Sequence, residues 1–139
     1  MKILVIEDSV RLADTIAEAL QNENYVVDTA NDGQLGYEHA STGIYDMVIL
    51  DLMLPKMNGY EVLSALRRDG QNVPVLILSA KTEIDDKIQG FTTGADDYMT
   101  KPFGVLELQA RVRSLLRRHA PKAAPIIESQ TLKIDKQTR

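Results

Sequence analysis

The sequence predicts an α/β domain in which five parallel strands form a doubly wound sheet with helices on both faces. Three observations predict it: short continuous apolar runs, amphipathic segments between them, and regular alternation of the two. Continuous hydrophobicity indicates strands that are buried on both faces, so helices must cover both sides of the sheet. Right-handed crossovers then join the strands. The runs are Ile3–Ile6, Tyr25–Val27, Met47–Leu50, Val75–Leu78 and the weaker Tyr98–Met99.

The segments between the runs carry apolar residues at helical spacing. Ser9 precedes the first stripe as an N-cap, and Asn58 with Glu61 predicts a capping box at the start of the third helix. Gly70 stands where a glycine after the last turn would end that helix. The segment 32–42 has the weakest stripe. The other stripes are Leu12–Leu20, Val62–Leu66, Ile84–Ile88–Phe91 and Leu108–Val112–Leu115–Leu116.

The composition excludes several classes of site. The 139 residues include no cysteine and two histidines that stand far apart, which excludes disulfides, cysteine nucleophiles and zinc sites built from thiolates or several histidines. Any metal should therefore be hard and bound by oxygen. No run approaches the roughly 18 apolar residues of a membrane span, and no secretory segment follows the first methionine, so we expect a cytoplasmic protein without membrane contact.

Charge divides the chain into two unlike halves. Residues 1–60 hold 3 basic and 10 acidic side chains, and residues 61–139 hold 13 basic and 10 acidic ones. The acidic half should repel nucleic acid. The basic residues near 111–118 suit the end of a helix and do not by themselves indicate DNA binding.

Reactive side chains stand where four of the predicted strands end. Ligands of open parallel sheets bind beyond the carboxyl ends of the strands, so these side chains should converge on one edge. Three of them are carboxylates, one is a hydroxyl and one is an ammonium. They are Glu7, Asp8, Asp51, Ser79 and Lys101.

The three carboxylates predict a magnesium site. Carboxylates held close together repel one another, so at least one should resist ionisation without a compensating cation. Magnesium suits a partly hydrated site of oxygen ligands that is completed by a phosphate. Asp8 and Asp51 are the expected direct ligands, Glu7 acts through water, and a backbone carbonyl just after Asp51 completes the protein's share.

Asp51 is also the candidate nucleophile. It follows a buried strand, so it is partly desolvated and poised towards an electrophilic phosphorus. Phosphoryl transfer further needs hydrogen-bond donors around the equatorial oxygens, and Lys101 and Ser79 provide them.

These motifs resemble the receiver domain of bacterial two-component response regulators over residues 2–118. The segments that carry the resemblance are ILVIED (3–8), DLMLP (51–55) with Asn58-Gly59, Ser79-Ala80, and GADDYMTKPF (94–103). The resemblance implies a flavodoxin-like strand order of 2-1-3-4-5 and a signalling switch that is not an enzyme. It also implies that a sensor histidine kinase phosphorylates Asp51 and that the Lys101–Pro102 peptide is cis.

The same resemblance implies the roles of the other site residues. Glu7, Asp8, Asp51 and the Met53 carbonyl hold magnesium, and Ser79 and Lys101 contact the phosphoryl group. On phosphorylation Ser79 moves towards that group and Tyr98 rotates into the vacated space. An equally good expectation for the unphosphorylated protein is that Tyr98 is a half-buried strand residue with its hydroxyl in water.

The segments 94–103 and 107–118 are similar to those of the winged-helix (OmpR/PhoB-like) subfamily. In that subfamily active receivers form homodimers through the face made by the fourth helix, fifth strand and fifth helix. Thr93, Gln109 and Phe91 depart from the subfamily's usual residues on these segments. The residues implied for the dimer face are Ile84, Lys87, Phe91, Asp97, Glu107, Arg111 and Arg118.

The chain beyond the receiver predicts a further domain. Residues 1–118 form the receiver, residues 119–125 are rich in proline and alanine and form a linker, and residues 126–139 carry too few apolar side chains for a core of their own. Residues 126–139 resemble the opening strands of a winged-helix domain, which would bind promoter DNA with parts that follow residue 139.

Three alternatives remain open on the residues. A stand-alone receiver or phosphorelay shuttle fits the same site but leaves the linker and tail unused. A magnesium-dependent hydrolase with an aspartyl-phosphate needs a second acid two residues after Asp51, where Met53 stands. A flavodoxin-like FMN carrier needs a phosphate-binding first loop, which the anionic pair Glu7-Asp8 disfavours.

Overall fold

The computed structural model describes residues 1–80 and 84–119, and for Ile84 it describes the backbone alone. Strands and helices alternate five times in these residues. The strands are β1 (Lys2–Ile6), β2 (Val26–Ala30), β3 (Met47–Leu50), β4 (Val75–Ser79) and β5 (Asp97–Thr100). The helices are α1 (Val10–Gln21), α2 (Gly33–Ala40), α3 (Gly59–Arg68), α4 (Ile84–Thr93) and α5 (Val105–His119).

All five strands are parallel and lie in the order β2-β1-β3-β4-β5, which confirms the expected fold class. Two apolar clusters cover the two faces of the sheet. On one face α1 and α5 pack on alternate residues of the strands, such as Ile3 and Ile49. On the other face α2 and α3 pack on the residues between them, such as Leu4 and Leu50. The central strands are therefore apolar throughout because helices bury both of their faces.

The predicted helix boundaries are confirmed at the positions where the sequence carries a capping signal. The Ser9 side chain caps α1 by accepting from the Leu12 amide, and Asn58 and Glu61 form the capping box of α3. Gly70 follows α3 with a φ of +81°, the left-handed conformation that favours glycine. The weak segment 32–42 does form a helix, which Asp32 caps.

Helix α5 is tied to α1 by polar side chains as well as by the core. The Gln109 Nε2 donates to the Ala19 carbonyl at 2.9 Å, and the Arg113 guanidinium lies 2.6 Å from the Glu23 carboxylate. Gln109 therefore faces α1 and satisfies a carbonyl in the last turn of that helix. The helix extends to His119, the first residue of the predicted linker; residues 120–139, which hold the rest of the linker and the predicted winged-helix segment, lie outside the described residues.

Helix α4 turns apolar side chains away from the sheet. Ile88 is 57% exposed and Phe91 is 48% exposed, although the stripe they form at helical spacing predicted the helix correctly. The contact with the sheet is made at Gly90, where a Cβ atom would lie 2.8 Å from Ile77 and 3.3 Å from the Tyr98 ring. The helix thus approaches the sheet through a glycine and leaves its apolar stripe in solvent.

Candidate functional site

The carboxyl ends of β1 and β3 bring the three acidic side chains together. The Glu7 amide donates to Ala30 of β2, and the Asp51 amide donates to Ile6 of β1, so each residue leaves its strand in a fixed position. Glu7 and Asp51 are 3% and 5% exposed, and Asp8 is exposed. One carboxylate oxygen from each of the three lies within 4.8 Å of the other two.

Lys101 bridges the two buried acids. Its Nζ lies 2.9 Å from Glu7 Oε1 and 3.1 Å from Asp51 Oδ2. The Lys101 amide donates to the Ser79 carbonyl, which holds the start of the loop after β5 beside the end of β4, and the following peptide to Pro102 is cis as expected. The ammonium thus supplies positive charge between Glu7 and Asp51.

Burial and the hydrogen bonds of Lys101 have opposing effects on the pKa values of Glu7 and Lys101. Burial raises the pKa of Glu7, the Asp51 charge adds to that effect, and the hydrogen bond from Lys101 opposes it. Glu7 is thus harder to ionise than a free carboxyl, chiefly because it is buried and to a smaller extent because of repulsion by Asp51. Burial lowers the pKa of Lys101, but its hydrogen bonds to Glu7 and Asp51 outweigh burial and the net shift is upward.

Backbone amides orient the remaining carboxylate oxygens. The Ser9 amide donates to Glu7 Oε2 at 3.1 Å, and the Met53 amide donates to Asp51 Oδ1 at 3.2 Å. The Asn31 side chain donates to the Glu7 carbonyl at 2.9 Å, which fixes the backbone there. The atoms that could ligate a metal at this site are carboxylate oxygens. Such ligands fit a hard divalent cation of the magnesium type and do not fit a soft metal.

Gly59 sets how closely α3 approaches Asp51. The Gly59 amide donates to the Leu52 carbonyl at 2.9 Å. A Cβ atom on Gly59 would lie 2.4 Å from the Asp51 carbonyl oxygen and 2.6 Å from the Leu52 Cα. Both are backbone atoms, which cannot move aside without moving Asp51 itself.

We therefore expect Gly59→Ala to destabilise the domain by about 2–4 kcal/mol, because a core that is overfilled against backbone must shift. Gly104→Ala is the matched control, since a Cβ atom there meets no atom within 4 Å. Urea unfolding of both variants measures the difference. Equal midpoints for the two variants would contradict the close approach at Gly59.

Ser79 and Tyr98 lie next to each other under α4. Ser79 ends β4 and is fully buried, and Tyr98 in β5 is 7% exposed. Burial, followed by the nearby Tyr60 and Asp86, raises the pKa of Tyr98 to about 12, and a hydrogen bond with Ser79 opposes the rise. The side chain of Tyr98 is thus buried in this structure, and its rotation on phosphorylation stays a prediction.

The implied dimer-face residues lie on α4, β5 and α5. Arg111 binds Asp97 of its own chain at 2.9 Å and Glu107 at 3.2 Å. The Lys87 ammonium lies 6.0 Å from the centroid of the Tyr98 ring. Phe91 and Arg118 are exposed, and the side chain of Ile84 lies outside the described residues.

Two residues of α3 have contacts that the sequence did not predict: Tyr60 in the first turn, beside the site, and Arg67 in the last turn, at the opposite edge of the sheet. Tyr60 donates a hydrogen bond to the Asp86 carbonyl, and Arg67 binds Gly94, Asp96 and two further carbonyls. Asp86 lies 26 residues after Tyr60 in the sequence, and Gly94 lies 27 residues after Arg67. The position of Tyr60, an aromatic residue in the first turn of a capped helix, could have drawn attention to it, but the sequence does not indicate which residue its hydroxyl contacts.

Comparison with known proteins identifies the family. The family model described as "Response regulator receiver domain" matches residues 3–113. The chain belongs to that family. This receiver domain is 45% identical to the transcriptional regulatory protein CusR of Escherichia coli K12 over 130 residues, 94% of this chain and 56% of that protein. It is 45% identical to the response regulator ArlR of Staphylococcus aureus over 135 residues, 97% of this chain and 60% of that protein.

Solved receiver domains share the architecture. The receiver domain of the Francisella response regulator 1452 matches with a TM-score of 0.81 at 37% identity, over 84% of this chain and 97% of that one. The BeF3-activated receiver domain of Klebsiella pneumoniae RstA matches with a TM-score of 0.79 at 30% identity, over 84% of this chain and 99% of that one.

This receiver domain spans just over half the length of those two curated relatives, which are named as regulators and belong to the OmpR/PhoB family. Within residues 1–80 and 84–119, none of the helices has the length and hydrophobicity that crossing a bilayer requires.

Proposed function

We propose that Asp51 accepts a phosphoryl group from a sensor histidine kinase and that the domain thereby switches a transcriptional regulator. The observation that carries the proposal is the Lys101 ammonium held between Glu7 and Asp51, with Ser79 at the end of the adjacent strand. A nucleophilic carboxylate, a fixed cation and a hydroxyl at one edge of the sheet are what phosphoryl transfer needs. The relatives are named as a transcriptional regulatory protein and a response regulator, which supports the regulatory part of the proposal.

The reaction exchanges one bond to phosphorus for another. An Asp51 carboxylate oxygen attacks the phosphorus of a phosphohistidine, the new P–O bond forms, and the P–N bond breaks with its electron pair going to the imidazole. Lys101 and Ser79 donate hydrogen bonds to the transferred oxygens, where negative charge accumulates. Lys101 is already positioned by Glu7, so little reorganisation is needed.

Glu7, Asp8, Asp51 and the Met53 carbonyl are the groups that would hold Mg²⁺. When bound, the ion supplies positive charge that offsets the phosphoryl oxygens and the three carboxylates. Asp8 is the exposed member of the cluster and is open to a hydrated cation, whereas Glu7 is already engaged by Ser9 and Lys101.

The domain is proposed to assist its own phosphorylation and dephosphorylation and not to turn over an external substrate. A hydrolase that forms an aspartyl-phosphate uses an acid two residues beyond the nucleophile. In this chain Met53 occupies that position and is 60% exposed. Sustained turnover of a phosphomonoester in the presence of magnesium would favour the hydrolase.

The output proposed is dimerisation through α4, β5 and α5 in the cytoplasm, which brings two DNA-binding domains to promoter DNA. Lys87, Phe91, Asp97, Glu107, Arg111 and Arg118 are the described residues of this face, and Ile84 completes the set. The stand-alone receiver or phosphorelay shuttle remains the second candidate. The size of the native gene product separates them, since a product that ends at residue 139 would exclude the attached domain.

The test is the intact mass of the protein with magnesium and acetyl phosphate, followed by size-exclusion chromatography with beryllofluoride. We expect a single phosphoryl adduct and a shift from monomer to dimer. An adduct without a shift to dimer would support Asp51 as the phosphoacceptor and contradict the proposed dimer face. The absence of an adduct would contradict the proposed function.

A further inference from the structure

Helix α4 is fastened to α3 at both of its ends, among the residues that the structure describes. At the first turn of α4, the Tyr60 hydroxyl donates to the Asp86 carbonyl at 3.1 Å. At the other end, Arg67 donates from Nε and Nη2 to the carbonyl of Gly94, the residue after α4, at 3.1 and 2.8 Å. Both fastening residues belong to α3, so α3 is the frame on which α4 is held.

The two fastenings differ in strength. Arg67 also donates to the carbonyls of Gln71 and Val73 at 2.8 Å each, and pairs with Asp96 at 3.2 Å. Hydrogen bonds from a charged donor are about twice as strong as neutral ones, and Arg67 makes several at once. Tyr60 contributes a neutral hydrogen bond to a carbonyl. The Tyr60 hydrogen bond is therefore weaker than the set of contacts that Arg67 makes.

A groove lies between α3 and α4. Met57 and Tyr60 form the apolar part of its walls, and the polar part consists of Glu61, Ser64, Arg68, Gln89 and Thr93. Ile88 and Phe91, two apolar side chains of α4, do not line it and are exposed. A turn of α4 about its C-terminal end would widen this groove, and water could solvate the polar side chains on both of its walls.

Tyr60 itself is fixed to the backbone of the acidic site. It follows Gly59, whose amide binds the Leu52 carbonyl, and it sits in the first turn that the Asn58–Glu61 capping box closes. The Tyr60 ring packs against the second apolar cluster, the one on the α2 and α3 face of the sheet. Asp51 is therefore linked to the first turn of α4 through Leu52, Gly59 and Tyr60.

We infer that Tyr60 is a positioning residue that holds the first turn of α4 against α3, and that Arg67 is the pivot about which α4 turns when this hydrogen bond opens. The hinge stands on the contacts alone. Its part in signalling rests on the proposed function, because only there does movement of α4 change the dimer face.

Hydrogen exchange of the unphosphorylated full chain tests the hinge without reference to phosphorylation. Tyr60→Phe should accelerate exchange about three- to tenfold in the first half of α4 and leave its second half unchanged, as expected when a neutral hydrogen bond is lost locally. Tyr45→Phe is the matched control, since it removes the Tyr45–Asp28 hydrogen bond of 2.7 Å at the opposite end of the sheet. Exchange in α4 should be unchanged in that variant.

Equal acceleration along all of α4, or none, would overturn the hinge. Tyr60→Leu gives a second reading, because it removes the ring as well. The same local pattern supports a positioning role, whereas acceleration throughout the protein in both Tyr60 variants identifies a core residue and contradicts it.

A second measurement tests the part in signalling. In sedimentation with beryllofluoride, Tyr60→Phe should dimerise at about three- to tenfold lower concentration than wild type, because α4 is released in advance. Identical dimerisation of the two proteins would overturn the regulatory role. A wild-type protein that takes no label from acetyl phosphate contradicts the proposed function and leaves the exchange result intact.

Discussion

Asp51→Asn is expected to abolish phosphoryl labelling by acetyl phosphate. The amide nitrogen is not a nucleophile towards phosphorus, and the substitution also removes one of the two carboxylates that hold Lys101. The intact-mass signal at the phosphoryl adduct should fall from a major species to background. Magnesium-induced stabilisation should weaken as well, because a charged oxygen ligand is lost.

Asp46→Asn is the matched control for that experiment. Asp46 immediately precedes β3 and Asp51 immediately follows it, so the same change of charge is made at the opposite end of one strand. The control should accept the label at the wild-type rate. Labelling of the Asp51→Asn protein at the same site would contradict the assignment of the nucleophile.

Lys101→Met is expected to destabilise the domain strongly. Methionine retains an unbranched apolar stem but removes the ammonium from between Glu7 and Asp51, whose side chains are only 4% and 6% exposed. Removing one partner of a buried ion pair leaves uncompensated charge, which costs about 3–5 kcal/mol in buried sites. We expect about 2–4 kcal/mol in urea unfolding without magnesium, since Lys101 itself retains some contact with water.

The pH dependence of that loss identifies its origin. Because the pKa of Glu7 is raised from 4.5, this carboxylate takes up its proton at a higher pH in the folded state than in the unfolded chain. The neutral carboxyl therefore favours folding below pH 4.5, and this contribution disappears as the pH rises through the folded pKa. The difference between wild type and Lys101→Met should accordingly be large at neutral pH and shrink in acid.

Above pH 10.5 the wild-type advantage should also shrink. The pKa of Lys101 is raised from 10.5 in the folded state, so its stabilising charge is complete below that value and is lost as the pH rises through the folded pKa. Lys56→Met is the control, because the Lys56 side chain is 69% exposed and its Asp32 partner lies 3.7 Å away. That surface pair should contribute less than about 1 kcal/mol. Equal losses in the two variants would contradict the buried bridge.

The strands and the acidic cluster could be predicted because burial on both faces leaves an unbroken apolar run that ends in a charged residue. The prediction was least accurate for β2, which lies at the edge of the sheet. The second run ended at Val27, but β2 continues to Ala30 through Asp28 and Thr29. As an edge strand, β2 tolerates polar residues, and Asp28 is satisfied there by Tyr45.

Long-range polar contacts could not be predicted in the same way. Helical spacing identified α4 but not the direction of its apolar stripe, because a glycine makes the close contact with the sheet. Gln109 was noted as a departure from the subfamily, yet its partner in α1 is 90 residues away. Spacing reports the period of an element, whereas such partners depend on how the elements are placed in space.

The sharing of one apolar cluster by α1 and α5 has a consequence for synthesis on the ribosome. This cluster contains residues of α1, the first helix to leave the ribosome, and of α5, the last of the described helices. Val112, Leu115 and Leu116 of α5 complete it. Until these residues leave the exit tunnel, Ile3 and Val5 lack part of their cover, and a nascent chain with exposed apolar surface is prone to aggregation. The domain therefore completes its core late in its own translation, and release factors or stalls acting before residue 112 would yield a chain in need of chaperones.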